Sequence, residues 1–245
     1  LTAPEQEFRI RELLRGWAQA WPDELEAALT TRAFAAQARA VVARARQLGL
    51  DPDDVADAGA AAAEPGWQVL GGFLAEYLDV LDAEGALDYA ELVHRARLLL
   101  ERDEVVSGVR AQFGAVYVDD WCELDPAQIA LVRALAPDGM PVVALADPDT
   151  SIYRFRGAHP RAATEFVRLF TKGGAAPRVE VLGVAWRQSE AQVAALASVA
   201  RRLGAPALAA EATRAYRAVG AGGRGRVEAC TFPDEVTQAR HIAAE

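Results

Sequence analysis

The sequence predicts an α/β protein whose N-terminal part is entirely helical. Three observations carry this. Apolar residues recur at helical spacing through the first hundred positions or so. Two short apolar runs then each end in aspartate, with a helix-like segment between them. A second strand–helix–strand pattern follows a glycine-rich break at Gly173-Gly174-Ala175-Ala176-Pro177.

Taken in order, Ala3-Pro4-Glu5 opens the first helix, with proline suited to a first turn. Phe8, Ile10, Leu13, Leu14 and Trp17 continue it, and Trp21-Pro22-Asp23 breaks it. Leu25, Ala28 and Leu29 mark a further helical face, as do Phe34, Ala38, Val41, Val42 and Ala45. Asp51-Pro52-Asp53-Asp54 reads as a turn and helix cap. Ala58 to Pro65 reads as a loop or weak helix, and Trp67–Leu81 and Leu87–Leu100 as amphipathic helices. Trp17, Trp21 and Trp67 are expected to pack within this helical part.

Ala115–Val118 and Pro141–Ala146 are the two apolar runs, and Pro126–Leu135 lies between them. Strand, helix, strand implies a parallel unit with acidic residues at the strand ends, the edge where open α/β sheets bind ligands. Beyond the break come an expected strand Val179–Val184, a helix Ser189–Leu203 and a strand Val227–Phe232.

Composition narrows the function classes. The chain has 245 residues, 52% hydrophobic and 25% charged, enough for one large or two small globular domains and too apolar for a disordered tail. No apolar run is long enough to span a bilayer, and no basic leader with an apolar core opens these residues. A net charge of −9 leaves no general basic coat for nucleic acid, so any such contact needs a local patch. Cys122 and Cys230 match no metal-ligand spacing, and a reduced state is expected. Lys172 is the only lysine and asparagine is absent, which fits a GC-rich genome. The chain opens at Leu1 and is expected to be a piece of a longer polypeptide.

Two constellations carry chemistry. Val118-Asp119-Asp120-Trp121-Cys122-Glu123-Leu124-Asp125-Pro126-Ala127-Gln128 places carboxylates at a strand end. One such carboxylate suits Mg²⁺, which keeps waters and shares phosphate oxygens, and a second suits orienting a water; a solvated turn or helix cap is the alternative. Leu145 to Ala158 contains Asp147 and then Thr150-Ser151-Ile152-Tyr153-Arg154-Phe155-Arg156-Gly157-Ala158. From Arg154 to Arg168 there are four arginines and a single acid, Glu165, the one clearly basic stretch of an acidic chain. Arginine reaches phosphates bidentately and aromatic rings stack on bases, although a solvated face has the same composition.

These segments resemble the UvrD/Rep/PcrA-type superfamily 1A DNA helicases. The second motif of that family reads V-D-E-[FY]-Q-D-T-[DN]-P-x-Q, its third V-G-D-x-x-Q-S-I-Y-x-F-R-G-A, and its fourth contains N-[YF]-R-S. The counterparts are Val118–Gln128, Leu145–Ala158 and Ala185-Trp186-Arg187-Gln188-Ser189. Leu87-Asp88-Tyr89-Ala90-Glu91-Leu92-Val93 also resembles the L-D-F-x-D-L-L segment that precedes the second motif.

The resemblance implies a RecA-like P-loop NTPase motor core with a helical insertion. Residues 1–85 would be the insertion, 86–172 the later part of the first motor domain, and 178–245 the start of the second. It implies ATP and Mg²⁺ as cofactors, with Asp119 on the metal, Asp120 in place of the water-activating glutamate, and Thr150 in place of the glutamine that senses the γ-phosphate. Trp186 would stack on adenine, Arg187 would reach the γ-phosphate, and Tyr153, Arg154, Phe155 and Arg156 would line single-stranded DNA. Cys122 and Ala185 depart from the glutamine and asparagine of the motifs. No G-x-x-x-x-G-K-[ST] phosphate loop occurs in these residues, so this segment is not expected to hydrolyse ATP unaided.

The departures fall on the nucleotide side, and the string facing DNA is intact. The expectation is therefore a helicase subunit for double-strand-break repair with a degenerate nucleotide site, similar to the mycobacterial AdnAB helicase–nucleases. DNA ends and a second helicase–nuclease subunit would be its partners, and the cytoplasm, at the nucleoid, its location. The alternative is a non-catalytic module that guides DNA and docks a partner supplying the ATPase.

Overall fold

The computed structural model describes residues 1–245 except 137, 138, 148, 160, 172, 203–217, 220–224 and 245. Lys172 and the end of the expected Ser189–Leu203 helix therefore lie outside the described residues. The chain divides into two compact units, Leu1–Ala163 and Thr164–Glu245.

The first unit is helix-rich. Helix α1 (Ala3–Gly16) starts at a Thr2–Glu5 capping box with Pro4 in its first turn. Short 3-10 turns at Ala18–Ala20 and Asp23–Leu25 flank Trp21-Pro22 and lead into α2 (Glu26–Leu29). Thr31 caps α3 (Arg32–Gln47), and an Asp51–Asp54 capping box starts α4 (Pro52–Ala61), so the alanine-rich stretch is helical up to Ala61. Helices α5 (Pro65–Ala83), α6 (Tyr89–Leu99) and α7 (Asp103–Arg110) follow. The sequence reading did not anticipate α7.

Ile10 and Leu14 of α1, Val42 of α3, and Phe73, Leu74, Tyr77 and Leu81 of α5 form the centre of the core. Trp21 packs edge-on against Phe34 (5.5 Å) and Phe73 (6.1 Å), and Trp17 edge-on against Phe73 (6.2 Å). Trp67 departs from expectation, with half of its surface exposed. Its position near the start of α5 leaves the ring outside the core cluster. Helices α4 and α5 approach closely at Gly71, where a Cβ would lie 2.7 Å from both the Ala56 Cβ and the Pro52 carbonyl oxygen.

A buried polar network ties α6 to these helices. Asp88 caps α6 by accepting from the Glu91 N–H (2.8 Å), and its other oxygen accepts from the Tyr77 hydroxyl (3.0 Å) and the Gln6 amide (2.8 Å). Burial, with Asp88 alongside, pushes the Tyr77 hydroxyl well above its ordinary pKa. Glu91 accepts from Arg46 Nε and Arg95 Nε, each at 2.8 Å.

Strands β1 (Val116–Val118) and β2 (Val142–Ala144) pair in parallel, with Val116 opposite Val142, Tyr117 opposite Val143 and Val118 opposite Ala144. Helix α8 (Pro126–Leu135) is the crossover, started by an Asp125–Gln128 capping box. This is the strand–helix–strand unit read from the sequence, in a helix-rich α/β chain with a small parallel sheet.

Helix α9 (Ala162–Phe170) spans the division between the units. In the second unit, β3 (Val184–Ala185) pairs in parallel with β4 (Ala218–Val219), and Ser189 caps α10 (Glu190–Ala200). A final helix covers Glu235–Ala244. Two expectations need correction. Only Val184 of the expected Val179–Val184 strand is in a sheet, and 227–232 forms no strand. Val179 and Leu182 are 61% and 80% exposed, so apolar content alone did not make a strand where none of the described residues pairs with it. Cys230 is exposed on this segment, Cys122 is buried, and both are free thiols, as the expected reduced state requires.

Candidate functional site

The site in the first unit is built where β1 and β2 end together. The ladder runs one step past the strands: the Leu145 N–H donates to the Val118 carbonyl (2.9 Å), and the Trp121 N–H donates to the Leu145 carbonyl (2.9 Å). Asp119 and Asp120 are held between these two bonds, both exposed. Asp120 has left-handed backbone (φ 50), a conformation aspartate tolerates better than most residues, and its N–H donates to Asp119 Oδ1 (2.9 Å). Such backbone costs about 1 kcal/mol or more and tends to persist where surrounding bonds over-determine it, as the two ladder bonds do here.

Beyond β2, Asp147 closes a turn. Its Oδ1 accepts from the Asp149 N–H (3.0 Å), and its carbonyl accepts from both the Thr150 N–H and hydroxyl (3.1 Å each). Asp147 thus caps this turn. Thr150 is exposed and spends its hydroxyl on that local bond.

Tyr153–Arg156 forms a single 3-10 turn. Phe155 is 78% exposed and Tyr153 40%. Their rings lie 6.1 Å apart, and the Arg156 guanidinium sits 5.3 Å from the Tyr153 ring and 5.5 Å from the Phe155 ring. Exposed aromatic faces with cations against them are a stacking surface of the kind single strands use. Gly157 ends the turn at φ 96, and a Cβ there would lie 2.5 Å from Gln47 Oε1 and 2.6 Å from Arg44 Nη1. The string is therefore seated directly on α3.

Bonds between the two constellations make them one site. The Trp121 indole N–H donates to the Ala162 carbonyl (2.7 Å), the His159 N–H to the Leu124 carbonyl (2.9 Å), and the Ser151 hydroxyl to the Cys122 carbonyl (3.1 Å). The Ile152 and Tyr153 N–H groups donate to the Glu123 carboxylate. Trp121 is fully buried, and Cys122 is buried with its thiol pKa pushed up to about 11 by desolvation. Asp125 is likewise pushed above its ordinary value by burial.

Among the described residues no group of three His, Cys, Asp or Glu side chains gathers to hold a metal. A single exposed carboxylate such as Asp119 suits Mg²⁺, which takes one or two protein carboxylates and completes its shell with water and phosphate oxygens. Trp186 (70% exposed) and Arg187 (exposed) follow β3 in the second unit, just ahead of the Ser189 cap. Sequence reasoning assigned no part to Glu123, to the Arg44–Gln47 seat under Gly157, or to the Asp88–Glu91 network. Their partners lie tens of residues away in the chain, and no local spacing signals them. His94 is buried, with Nε2 3.6 Å from Asp51 Oδ1.

Residues 4–171 match the family model of the UvrD/REP helicase N-terminal domain. The chain belongs to the UvrD/REP helicase family. It is 34% identical to DNA helicase II of Escherichia coli over 95 residues, which is 38% of this chain and 13% of that protein. It is 35% identical to the ATP-dependent DNA helicase UvrD1 of Mycobacterium tuberculosis over 101 residues, again 38% of this chain and 13% of that protein. One subunit of an ATP-dependent helicase/nuclease of Desulfitobacterium hafniense is 30% identical over 125 residues, 46% of this chain and 9% of that protein. The matched stretches thus cover about an eighth of the length of those helicases.

Proposed function

We propose that this chain is part of an ATP-dependent DNA helicase or translocase subunit that acts on single-stranded DNA at double-strand breaks and carries a degenerate nucleotide site. It would contribute the end of a first RecA-like motor domain (86–172), the helical insertion before it (1–85) and the start of a second motor domain (178–245). The observation that carries the reading is the exposed Tyr153–Phe155–Arg156 surface, hydrogen-bonded through 151–153 to the acidic end of β1. Phe155 and Tyr153 would stack on bases, and Arg154 and Arg156 would meet phosphates.

Mg²⁺·ATP would supply the free energy of domain closure when bound. Asp119 would hold the metal, Asp120 would stand near the attacking water, Thr150 would face the γ-phosphate, Trp186 would stack on adenine, and Arg187 would act as the arginine finger. DNA ends and a second helicase–nuclease subunit would be the partners, in the cytoplasm at the nucleoid; the name of the Desulfitobacterium relative supports a subunit of that kind.

The test is single-strand affinity of the full-length protein. Base stacking is worth about 1–3 kcal/mol per base, so Phe155→Ala is expected to weaken binding about 5- to 150-fold. Unchanged affinity across a salt titration refutes the role.

A second reading, a DNA-guiding and docking module without its own turnover, is favoured by the nucleotide side. Cys122 is buried rather than presented, the Thr150 hydroxyl is taken by Asp147, and Asp120 is a methylene shorter than glutamate. DNA-dependent ATPase that survives removal of the partner's phosphate-loop lysine refutes this second reading.

A further inference from the structure

We propose that Glu123 is a positioning residue that clamps the base-stacking string to the acidic end of β1; the proposal rests on the single-strand reading above. Its carboxylate is bidentate. Oε1 accepts from the Ile152 N–H at 2.8 Å and Oε2 from the Tyr153 N–H at 2.9 Å. Ser151 closes the same contact, with its hydroxyl 3.1 Å from the Cys122 carbonyl and 3.5 Å from Glu123 Oε2.

The two N–H groups stand at the start of the 3-10 turn Tyr153–Arg156, where backbone donors have no acceptor within their own turn. A carboxylate supplies two acceptors in one plane and makes shorter, stronger bonds than a neutral group. Glu123 is itself fixed to the other constellation, because its N–H donates to the Asp120 carbonyl (2.8 Å). A shift at Asp119–Asp120 is thereby carried through one short turn and one rigid carboxylate to the backbone that aims Tyr153 and Phe155. The rings touch chiefly each other and Arg156 of the same turn, so their direction follows the backbone that carries them, and Phe155 is 78% exposed.

Chemistry identifies the decisive variant. Glutamine keeps the length of Glu123 but turns one acceptor into a donor, so one of the two N–H groups faces an NH₂. In the full-length protein, Glu123→Gln is expected to weaken binding of a fluorescent oligo(dT) about tenfold at fixed salt, as loss of a hydrogen bond to a charged group does. Glu123→Asp, which retains both acceptors but sets them a methylene further back, is expected to recover part of that loss.

The pairing with Phe155→Ala separates a clamp from general destabilisation. If Glu123 acts through the string, the double variant Glu123→Gln/Phe155→Ala binds within about twofold of the weaker single variant. Additive losses, an unchanged affinity for Glu123→Gln, or a loss for Glu123→Gln with none for Phe155→Ala each overturn the proposal. Should Glu123→Gln melt below the assay temperature, the same cycle is read with Ser151→Ala, which removes only the hydroxyl. A wild-type protein that does not bind the oligonucleotide overturns the single-strand reading itself, and the clamp with it.

Discussion

Replacing Glu91 by leucine tests what locks the helical part to the segment leading into β1. Arg46 and Glu91 are almost fully buried, at 3% and 4% side-chain exposure, and lie 2.8 Å apart. Removing one partner of a buried ion pair typically costs about 3–5 kcal/mol, because the other charge is left desolvated. Here Arg46 keeps the Leu50 carbonyl and Asp51 Oδ1, both at 2.8 Å from Nη1, and the Asp51 side chain is 59% exposed. That residual pairing places the cost near the low end, about 3 kcal/mol, or roughly a 150-fold fall in the local folding constant. Amide hydrogen exchange of α3 and α6 peptides in the full-length protein reads this directly. Glu91→Leu is expected to lower protection there by about two orders of magnitude, and Arg46→Met/Glu91→Leu to recover most of it, since an apolar pair of similar volume avoids the desolvation cost. A loss under about fivefold, or a double variant as open as the single, refutes the argument that the buried charge dominates.

Two further outcomes follow from the geometry. Gly157→Ala places a Cβ at φ 96 against Gln47 and Arg44; left-handed backbone costs alanine about 1–2 kcal/mol, so exchange over 153–158 is expected to rise about 5- to 30-fold, and an unchanged rate contradicts the seat on α3. His94 is held below its usual 6.5, first by burial and then by Arg46 and Arg97, against the opposing pull of Glu91 and Asp51. Its proton is therefore taken up by the unfolded chain before the folded one, so its contribution to stability is lost as pH falls below about 6.5. Between about pH 7 and 5.5 the wild type is expected to lose stability relative to His94→Gln in denaturant titrations, and parallel pH profiles refute this.

Much of the fold was legible because its signals are local. The Asp51 segment reads as a helix cap and Ser189 as a helix start, and the structure finds both residues capping, as it does Thr31 and Asp125. The runs ending at Val118 and Ala146 gave the parallel pair with its aspartates at one edge, and the Ser151–Ala158 string pointed to a family that the match over 4–171 bears out. The weaker signals failed where pairing decides. Residues 179–183 and 227–232 are apolar enough for strands yet pair in a sheet with none of the described residues, and a strand needs a neighbour to accept its backbone bonds. Short α7 passed unnoticed, though Arg110 at its end reaches the Ala134 carbonyl (2.8 Å).

The sequence by itself determined the helical and strand periods, the helix caps and the order of the motifs, since each depends on residues a few positions apart. Only the tertiary structure decided that Glu91 buries against Arg46, that Gly157 rests on α3, and that Glu123 holds the string after β2. Those contacts join residues 29 to 113 positions apart, and their energies come from desolvation and hydrogen-bond geometry that exist only once the chain has brought them together.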